Sequence, residues 1–299
     1  MKSILSDSFF SRLEALALNL STNLSGFFGG KHKVKTYGQT VEFSDYREYQ
    51  LGDDIRRIDW NLYSRFEKYF IKLFTDERQM HLQTFIDCSA SMGKHNPEKS
   101  AYAVAIAAAL GFLSVHNMDK VSYKVIRGKN ADDLAGLIVG KQSFFRAITD
   151  LENIEFVQEA FIDEAIIACP DVGSKDGLTV IISDFMTESG WKKAVNYLTY
   201  KKRQVLLVHI LSPDELDPSY SGRMSLIDNE ASGLEDSKNM KVRITRSLQK
   251  AYDQAMRDFR QDIKDFARSR GADYIMIDTS KPIEQVLFGE LLKVGIMGA

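Results

Sequence analysis

Cysteine is nearly absent: the 299-residue chain has two, Cys88 and Cys169, far apart and in no CxxC pair. A disulfide framework and a zinc site of familiar spacing are thereby excluded, and a reducing compartment suits the chain. Histidine is scarce too, with five scattered residues and no HExxH pair. Net charge is close to nil, 39 basic against 41 acidic residues, so no bulk field draws the chain to nucleic acid or to an anionic membrane. Long apolar runs are missing as well. The stretch Ala103 to Leu110 with its neighbours reads as too short to span a bilayer. The first residues, MKSILSDSFFSRLEALALNL, carry Asp7, Arg12 and Glu14 where a secretory signal would need an unbroken apolar stretch. They read as a soluble amphipathic helix, and a cytoplasmic location is expected.

What is present is an ordinary globular composition, 44% apolar and 27% charged, in a length that allows one large domain or two smaller ones. From Gly26 to Thr75 the pattern is irregular, rich in glycine, alternating charge and aromatics, and it suggests short strands and loops. HLQTFI then reads as a buried strand ending at Asp87. Asn96 and Pro97 mark a helix start, with Glu98 near the positive end of the dipole. The helix that follows, EKSAYAVAIAAALGFLSVH, is rich in alanine and can lie close against a sheet. Beyond it the chain alternates: strand KVSYKVI, helices SFFRAITDLENI and EAFIDEAIIAC, strand LTVIIS, helix GWKKAVNYLTYKK, strand QVLLVHIL. Such alternation implies an α/β fold with a doubly wound, mostly parallel sheet and helices on both faces. A turn-rich interruption at about 213–244 reads as an inserted hairpin. A long helix from about Thr245 to Arg270, a strand DYIMID and a last helix from Pro282 complete the pattern. The expected organisation is an N-terminal helix plus β-rich extension over 1–78 and an α/β domain over 79–299.

Two of the strands end in aspartate. DCSAS places Asp87, Ser89 and Ser91 at a strand-to-helix seam, and VIISDFMTES places Asp184 after another apolar strand. In a doubly wound sheet, ligands collect outside the carboxyl ends of the strands where the strand order reverses. If the two strands are neighbours, their two carboxylates face one crevice with two hydroxyls over it. That set is all oxygen and suits a hard divalent ion, Mg2+ or Mn2+, which takes octahedral oxygen coordination at about 2.1 Å and keeps several waters.

DCSAS resembles the DxSxS signature of the metal-ion-dependent adhesion site of von Willebrand factor A domains, over Gln79 to about Leu211 and again over the last strand and helix. The upstream stretch GQTVEFSDYREYQLGDDIRRIDWNLYSR, Gly38 to Arg65, is similar to the bacterial family known as domain of unknown function fifty-eight, whose members are typically encoded beside MoxR-type AAA+ ATPases. With this stretch the resemblance covers nearly the whole chain. It implies Asp87, Ser89, Ser91 and Asp184 as metal ligands. It also implies a role as adaptor or co-chaperone of a MoxR-type ATPase acting on an unknown client, with the ion taking a partner's carboxylate. A domains supply a further threonine between the two aspartates. Here no GxT occurs, and Ser143 and Thr149 are the nearest candidates.

Other readings carry less. A metal-dependent hydrolase of the dehalogenase type would use Asp87 as nucleophile with Asp184, but it needs a second carboxylate two residues on, where Ser89 stands. Cys88 has no histidine base beside it in sequence. Asp53, Asp54 and Asp59 are interleaved with Arg56 and Arg57, a pattern of salt-bridged surfaces. Arg47, Arg56, Arg57 and Trp60 read as a junction or docking face. GLIVGK has three residues between its glycines and Gln142 after its lysine, so it is not a phosphate loop. The basic clusters KHKVK and YKKRQ do not amount to a nucleic-acid surface.

Overall fold

The computed structural model describes residues 5–6, 8–15, 33–34, 42–77, 79–93, 96–157, 159–173, 177–187, 190–218, 222–226, 240–287 and 289. Lys31, His32 and Lys35 of KHKVK, the middle of the expected hairpin and the end of the last expected helix lie outside them. The chain forms two units, Gly30–Gln79 and a larger one made of Met1–Gly29 with Met80–Ala299. Helix α1 (residues 8–15) belongs to the larger unit, where Phe9, Phe10 and Leu13 are buried in the main core.

The smaller unit is an antiparallel sheet of β1 (Lys33–Val34), β3 (Phe70–Glu77) and β2 (Glu42–Glu48), in that order, with a bulge between Phe43 and Asp45. Between β2 and β3 lie a turn of 3-10 helix, Ile55–Arg57, and helix α2 (Trp60–Phe66). The acidic residues here are spent locally. Asp53 pairs with Arg47 at 2.9 Å and accepts from Gln50 N at 2.8 Å. Asp54 accepts from Arg56 N, and Asp59 caps α2 while pairing with Lys72 at 3.0 Å. Trp60 and Arg56 are exposed, and the Arg57 side chain lies outside the description.

The larger unit is built on β4 (His81–Asp87), β5 (Lys120–Arg127), β6 (Asn130–Asp133), β7 (Ile138–Val139), β8 (Gly177–Ser183), β9 (Gln204–Leu211) and β12 (Asp273–Asp278). Their order is β12-β9-β8-β4-β5-β6, with β7 also on β5. All neighbours are parallel except β6 and β7, which run antiparallel to β5. A helical turn α3 (Ala90–Gly93) and helix α4 (Pro97–His116) follow β4; α5 (Gly140–Glu152) and α6 (Ile162–Ala168) precede β8; α7 (Trp191–Tyr200) precedes β9. Between β9 and β12 come the single turn α8 (Pro213–Leu216), the antiparallel hairpin β10 (Gly222–Leu226) and β11 (Met240–Ile244), and α9 (Arg246–Ser269). Residues 283–287 are helical as well. This is the doubly wound α/β arrangement with an inserted hairpin that the alternation of strands and helices implied.

The central strands are apolar on both faces because helices cover both, so β8 is buried along its full length. The strand order reverses between β4 and β8, which pair in register from His81↔Gly177 to Ile86↔Ile182. At the amino ends of these strands, buried Arg203 donates to the carbonyls of His81 (2.8 Å) and Leu178 (2.9 Å) and to Thr179 Oγ1 (3.0 Å). The carboxyl ends carry the aspartates.

Helix α4 is the core helix. Its length and apolarity would let it cross a membrane, so the apolar run is longer than Ala103 to Leu110 suggests. Within the unit, 72% of its most apolar window is buried. Alanines at 103, 105, 107, 108 and 109 let it approach the sheet closely. At Gly111 the approach leaves no room for a side chain, since a Cβ there would lie 1.8 Å from Tyr123 Oη and 3.1 Å from the Phe144 ring.

Gly111→Ala is therefore expected to destabilise by about 1–3 kcal/mol through overpacking, outweighing the roughly 1 kcal/mol by which alanine is the better helix former. Chemical denaturation checks this. The midpoint should fall, and Tyr123→Phe in the same background should recover part of the loss. An unchanged midpoint would contradict the close helix–strand approach.

Candidate functional site

Asp87 ends β4, and its side chain is fixed from two directions. Oδ1 accepts from Ser89 N at 2.8 Å and Oδ2 from Ser183 Oγ at 2.6 Å, so the end of β8 holds the end of β4. The turn that follows, α3, carries Ser91, whose hydroxyl lies 3.0 Å from that of Ser89. Gly93 lets this turn sit under the segment joining α5 to α6, since a Cβ there would fall 2.2 Å from Phe156 Cβ.

Asp184 comes directly after β8. The next residue, Phe185, has φ 55, a left-handed conformation that a bulky residue adopts only at a cost of about 1–3 kcal/mol. Burial of its ring against Trp191 and His209 sustains it. The turn brings Met186 N to 3.0 Å from Asp184 Oδ1. Ser91 also hydrogen-bonds Asp184. The four residues singled out in the sequence thus share one place: Asp87, Ser89 and Asp184 are buried, and Ser91 is partly exposed.

Two further residues complete the cluster. Lys99, in the first turn of α4, has a side chain with 0% exposure, and its Nζ donates to Asp184 Oδ2 at 2.7 Å and to Glu215 Oε1 at 2.8 Å. Glu215 belongs to α8, and its Oε2 accepts from Ser212 N at 2.8 Å. Both had a signal in the sequence. A lysine in the first turn of a helix opposes the macrodipole, which suggests a carboxylate partner, and Ser212-Pro-Asp-Glu215 is the S-x-x-E capping pattern.

The electrostatics follow this division. Burial works against the charge of Lys99, but Asp184 and Glu215 outweigh it and raise its pKa. Burial likewise opposes the charge of Asp184, and Lys99 more than compensates, holding the carboxyl below its ordinary value. Asp87 goes the other way: burial and the neighbouring Asp184 charge push it up to about 6, against hydrogen bonds from Ser183 and Ser89. Lys99 therefore serves Asp184 and Glu215, with which its ammonium forms ion pairs at 2.7 and 2.8 Å.

Whether the residues suit a divalent ion is a question of donors and charge. All donors are oxygen. The two serine hydroxyls are hydrogen-bonded at 3.0 Å, a separation that adjacent corners of an octahedron with bonds of about 2.1 Å also have. Asp87 is a buried carboxylate whose donors are a hydroxyl and an amide, and buried carboxylates are ordinarily paired or bound to metal. On these grounds Asp87, Ser89 and Ser91 suit Mg2+ or Mn2+, and Asp184 has the right donor chemistry but already gives Oδ2 to Lys99 and Oδ1 to Met186 N. Among the described residues no three His, Cys, Asp or Glu side chains form a metal-holding group, so an ion here depends on the serines. Neither substitute for the threonine is close. Ser143 is exposed just after β7, which pairs with the first residues of β5, whereas Asp87 pairs with Ile126 near its end. Thr149 is exposed further along α5.

Neighbouring groups with catalytic potential are quiet. Burial, and then Asp87, push the Cys88 thiol up to about 12. His209, opposite Ser183 on β9, is pushed down to about 4 by burial, and its Nδ1 meets Tyr274 Oη at 2.9 Å.

Residues 45–262 match the family described as "Protein of unknown function DUF58". Uncharacterized proteins of Mycobacterium tuberculosis and Mycobacterium bovis are 25% identical over 274 residues, 90% of this chain and 84% of theirs. Among solved structures, the conserved hypothetical protein BatB from Bacteroides thetaiotaomicron overlays with a TM-score of 0.43 at 18% identity, covering 73% of this chain and 99% of that one. The SpRpn10 VWA domain overlays at 0.37 and 9%, covering 69% and 92%.

Two outcomes test the site. Lys99→Met strands the carboxylates of Asp184 and Glu215 and is expected to cost about 3–5 kcal/mol, part of which Glu215→Gln restores; denaturation of the single and double variants measures it, and a loss below about 1 kcal/mol would contradict the bridge. The second concerns pH. Asp87 titrates near 6 when folded, against 3.8 as its ordinary value, so its protonated form contributes stability that is present below about 4 and lost as pH rises through about 6. In chelator, Asp87→Asn should gain on the wild type as pH rises from 4 to 7. A stability difference independent of pH would contradict the raised value.

Proposed function

From the premise that this chain belongs to the DUF58 family, we propose that it is a protein-interaction module of the von Willebrand factor A type rather than an enzyme, with its docking face at the carboxyl end of the sheet. The observation that carries the reading is the convergence of Asp87, Ser89, Ser91 and Asp184 at the strand-order reversal between β4 and β8, with Cys88 held as thiol and His209 held neutral beside them. A thiol and an imidazole that are both quiet, with Ser89 where a dehalogenase-type hydrolase needs its second carboxylate, suit binding better than turnover by Asp87.

Mg2+ or Mn2+ would be held by Asp87, Ser89, Ser91 and Asp184, and when bound it would supply a Lewis-acidic position for a carboxylate of the partner. The chain's own residues do the rest. Ser183 and the Ser89 amide orient Asp87, the Met186 amide and Lys99 orient Asp184, and partly exposed Ser91 marks the open side. Val157 and Met186, with 57% and 37% exposure, add apolar surface on the loops that precede α6 and follow β8. Thr187 Oγ1 ties these loops together by donating to Ala160 O at 3.1 Å. The similarity of the Gly38 to Arg65 stretch supports a MoxR-type AAA+ ATPase as partner, with the chain as its cytoplasmic adaptor toward a client.

Capture of a MoxR-type ATPase on the immobilised chain, with and without chelator, tests this. Wild-type capture should fall in chelator, and Asp87→Ala should bind poorly in either condition. Equal capture in all four arms would remove the metal-bridged reading. Hydrolysis of a phosphate monoester that Asp87→Ala abolishes would replace it with the hydrolase.

A further inference from the structure

The candidate ion and Lys99 make demands on the same carboxylate. Asp184 gives Oδ2 to Lys99 at 2.7 Å and Oδ1 to Met186 N at 3.0 Å, while Glu215 gives Oε1 to Lys99 at 2.8 Å and Oε2 to Ser212 N at 2.8 Å. Each oxygen of that pair of carboxylates is already engaged. Asp87, next to them, has hydroxyl and amide donors only. One half of the cluster is thus neutralised from within and the other half is not.

We propose that Lys99 is a built-in cation that sets how tightly the DxSxS cluster takes a divalent ion, keeping the affinity low by holding Asp184. The inference rests on the metal reading above and goes beyond it, because the metal reading alone gives Lys99 no part. Counting formal charges, Asp87, Asp184 and Glu215 contribute −3 and Lys99 +1, leaving −2. A divalent ion balances that sum, yet it must share Asp184 with an ammonium, and like charges a few ångströms apart in a poorly solvated place repel strongly. The placement of the lysine is not incidental to the helix. Position three of α4 is where the dipole disfavours a cation, and the stem is enclosed along with the head group. Only the carboxylates outside the helix account for a lysine there.

Titration of Mn2+ into the chain without partner, followed by the paramagnetic resonance of free Mn2+, decides the matter. The informative variant is Lys99→Met/Glu215→Gln. Asp87 and Asp184 then contribute −2, the same sum as in the wild type, so a changed affinity reports the freeing of Asp184 rather than a change of net charge. The double variant is expected to bind Mn2+ at least tenfold more tightly than the wild type, and adding Asp87→Ala should abolish binding in both backgrounds. Should circular dichroism show the methionine variant unfolded, Lys99→Gln/Glu215→Gln makes the same comparison with a neutral donor kept beside Asp184. Equal affinity in wild type and double variant, each abolished by Asp87→Ala, overturns the role of Lys99 and leaves the metal reading standing. Absence of Mn2+ binding from the folded double variant overturns both.

Discussion

The ammonium of Lys99, enclosed between Asp184 and Glu215, is the contact on which the functional end of the sheet depends. Two carboxylates brought this close, away from water, would each forfeit several kcal/mol of solvation without a cation between them. The bridge joins three distant segments: the first turn of α4, the end of β8 and the turn α8 beyond β9. It reaches further through Glu215, whose carbonyl accepts from Tyr252 Oη at 3.0 Å on α9. The turn α8 is thereby registered against the strand ends, and Asp184 is held in place for whatever approaches from the Ser91 side.

The two ends of the sheet use buried cations differently. At the amino end, Arg203 donates to backbone carbonyls and a threonine hydroxyl, which fixes β4 against β8. At the carboxyl end, Lys99 meets side chains that are themselves candidate ligands. One buried cation is a fastener, and the other stands inside a site. With Asp87 raised and Asp184 lowered, the pair of aspartates is asymmetric, and the asymmetry comes from which of them the lysine serves.

Much of this was legible in the sequence, for reasons that can be named. Apolar runs ending abruptly at Asp87 and Asp184 announce strand ends, and alternation with helices announces parallel neighbours, so the meeting of the two acids followed from topology. The hairpin and the long helix after it were visible because turn residues and a 3.6-residue pattern are local signals. Helix α2 was not, because aromatics and charges in WNLYSRF mask its periodicity, and Asp59, its cap, stands among interleaved opposite charges. The antiparallel edge β6, NADD, has no apolar pattern at all and forms because β5 offers a free side. In sequence Lys99 is only a helix residue, since a buried ion pair between residues 85 and 116 positions apart is a property of the fold. Its sole local trace is its wrong sign for a helix start.

A crystal structure of the chain soaked in MnCl2, with anomalous differences collected for manganese, tests the central claim most directly. The account predicts an anomalous peak within bonding distance of the Ser89 and Ser91 hydroxyls, with the Lys99 ammonium still on Glu215. A peak at the position of that ammonium, or a Lys99 side chain turned out to solvent with Asp184 and Glu215 apart, would contradict it.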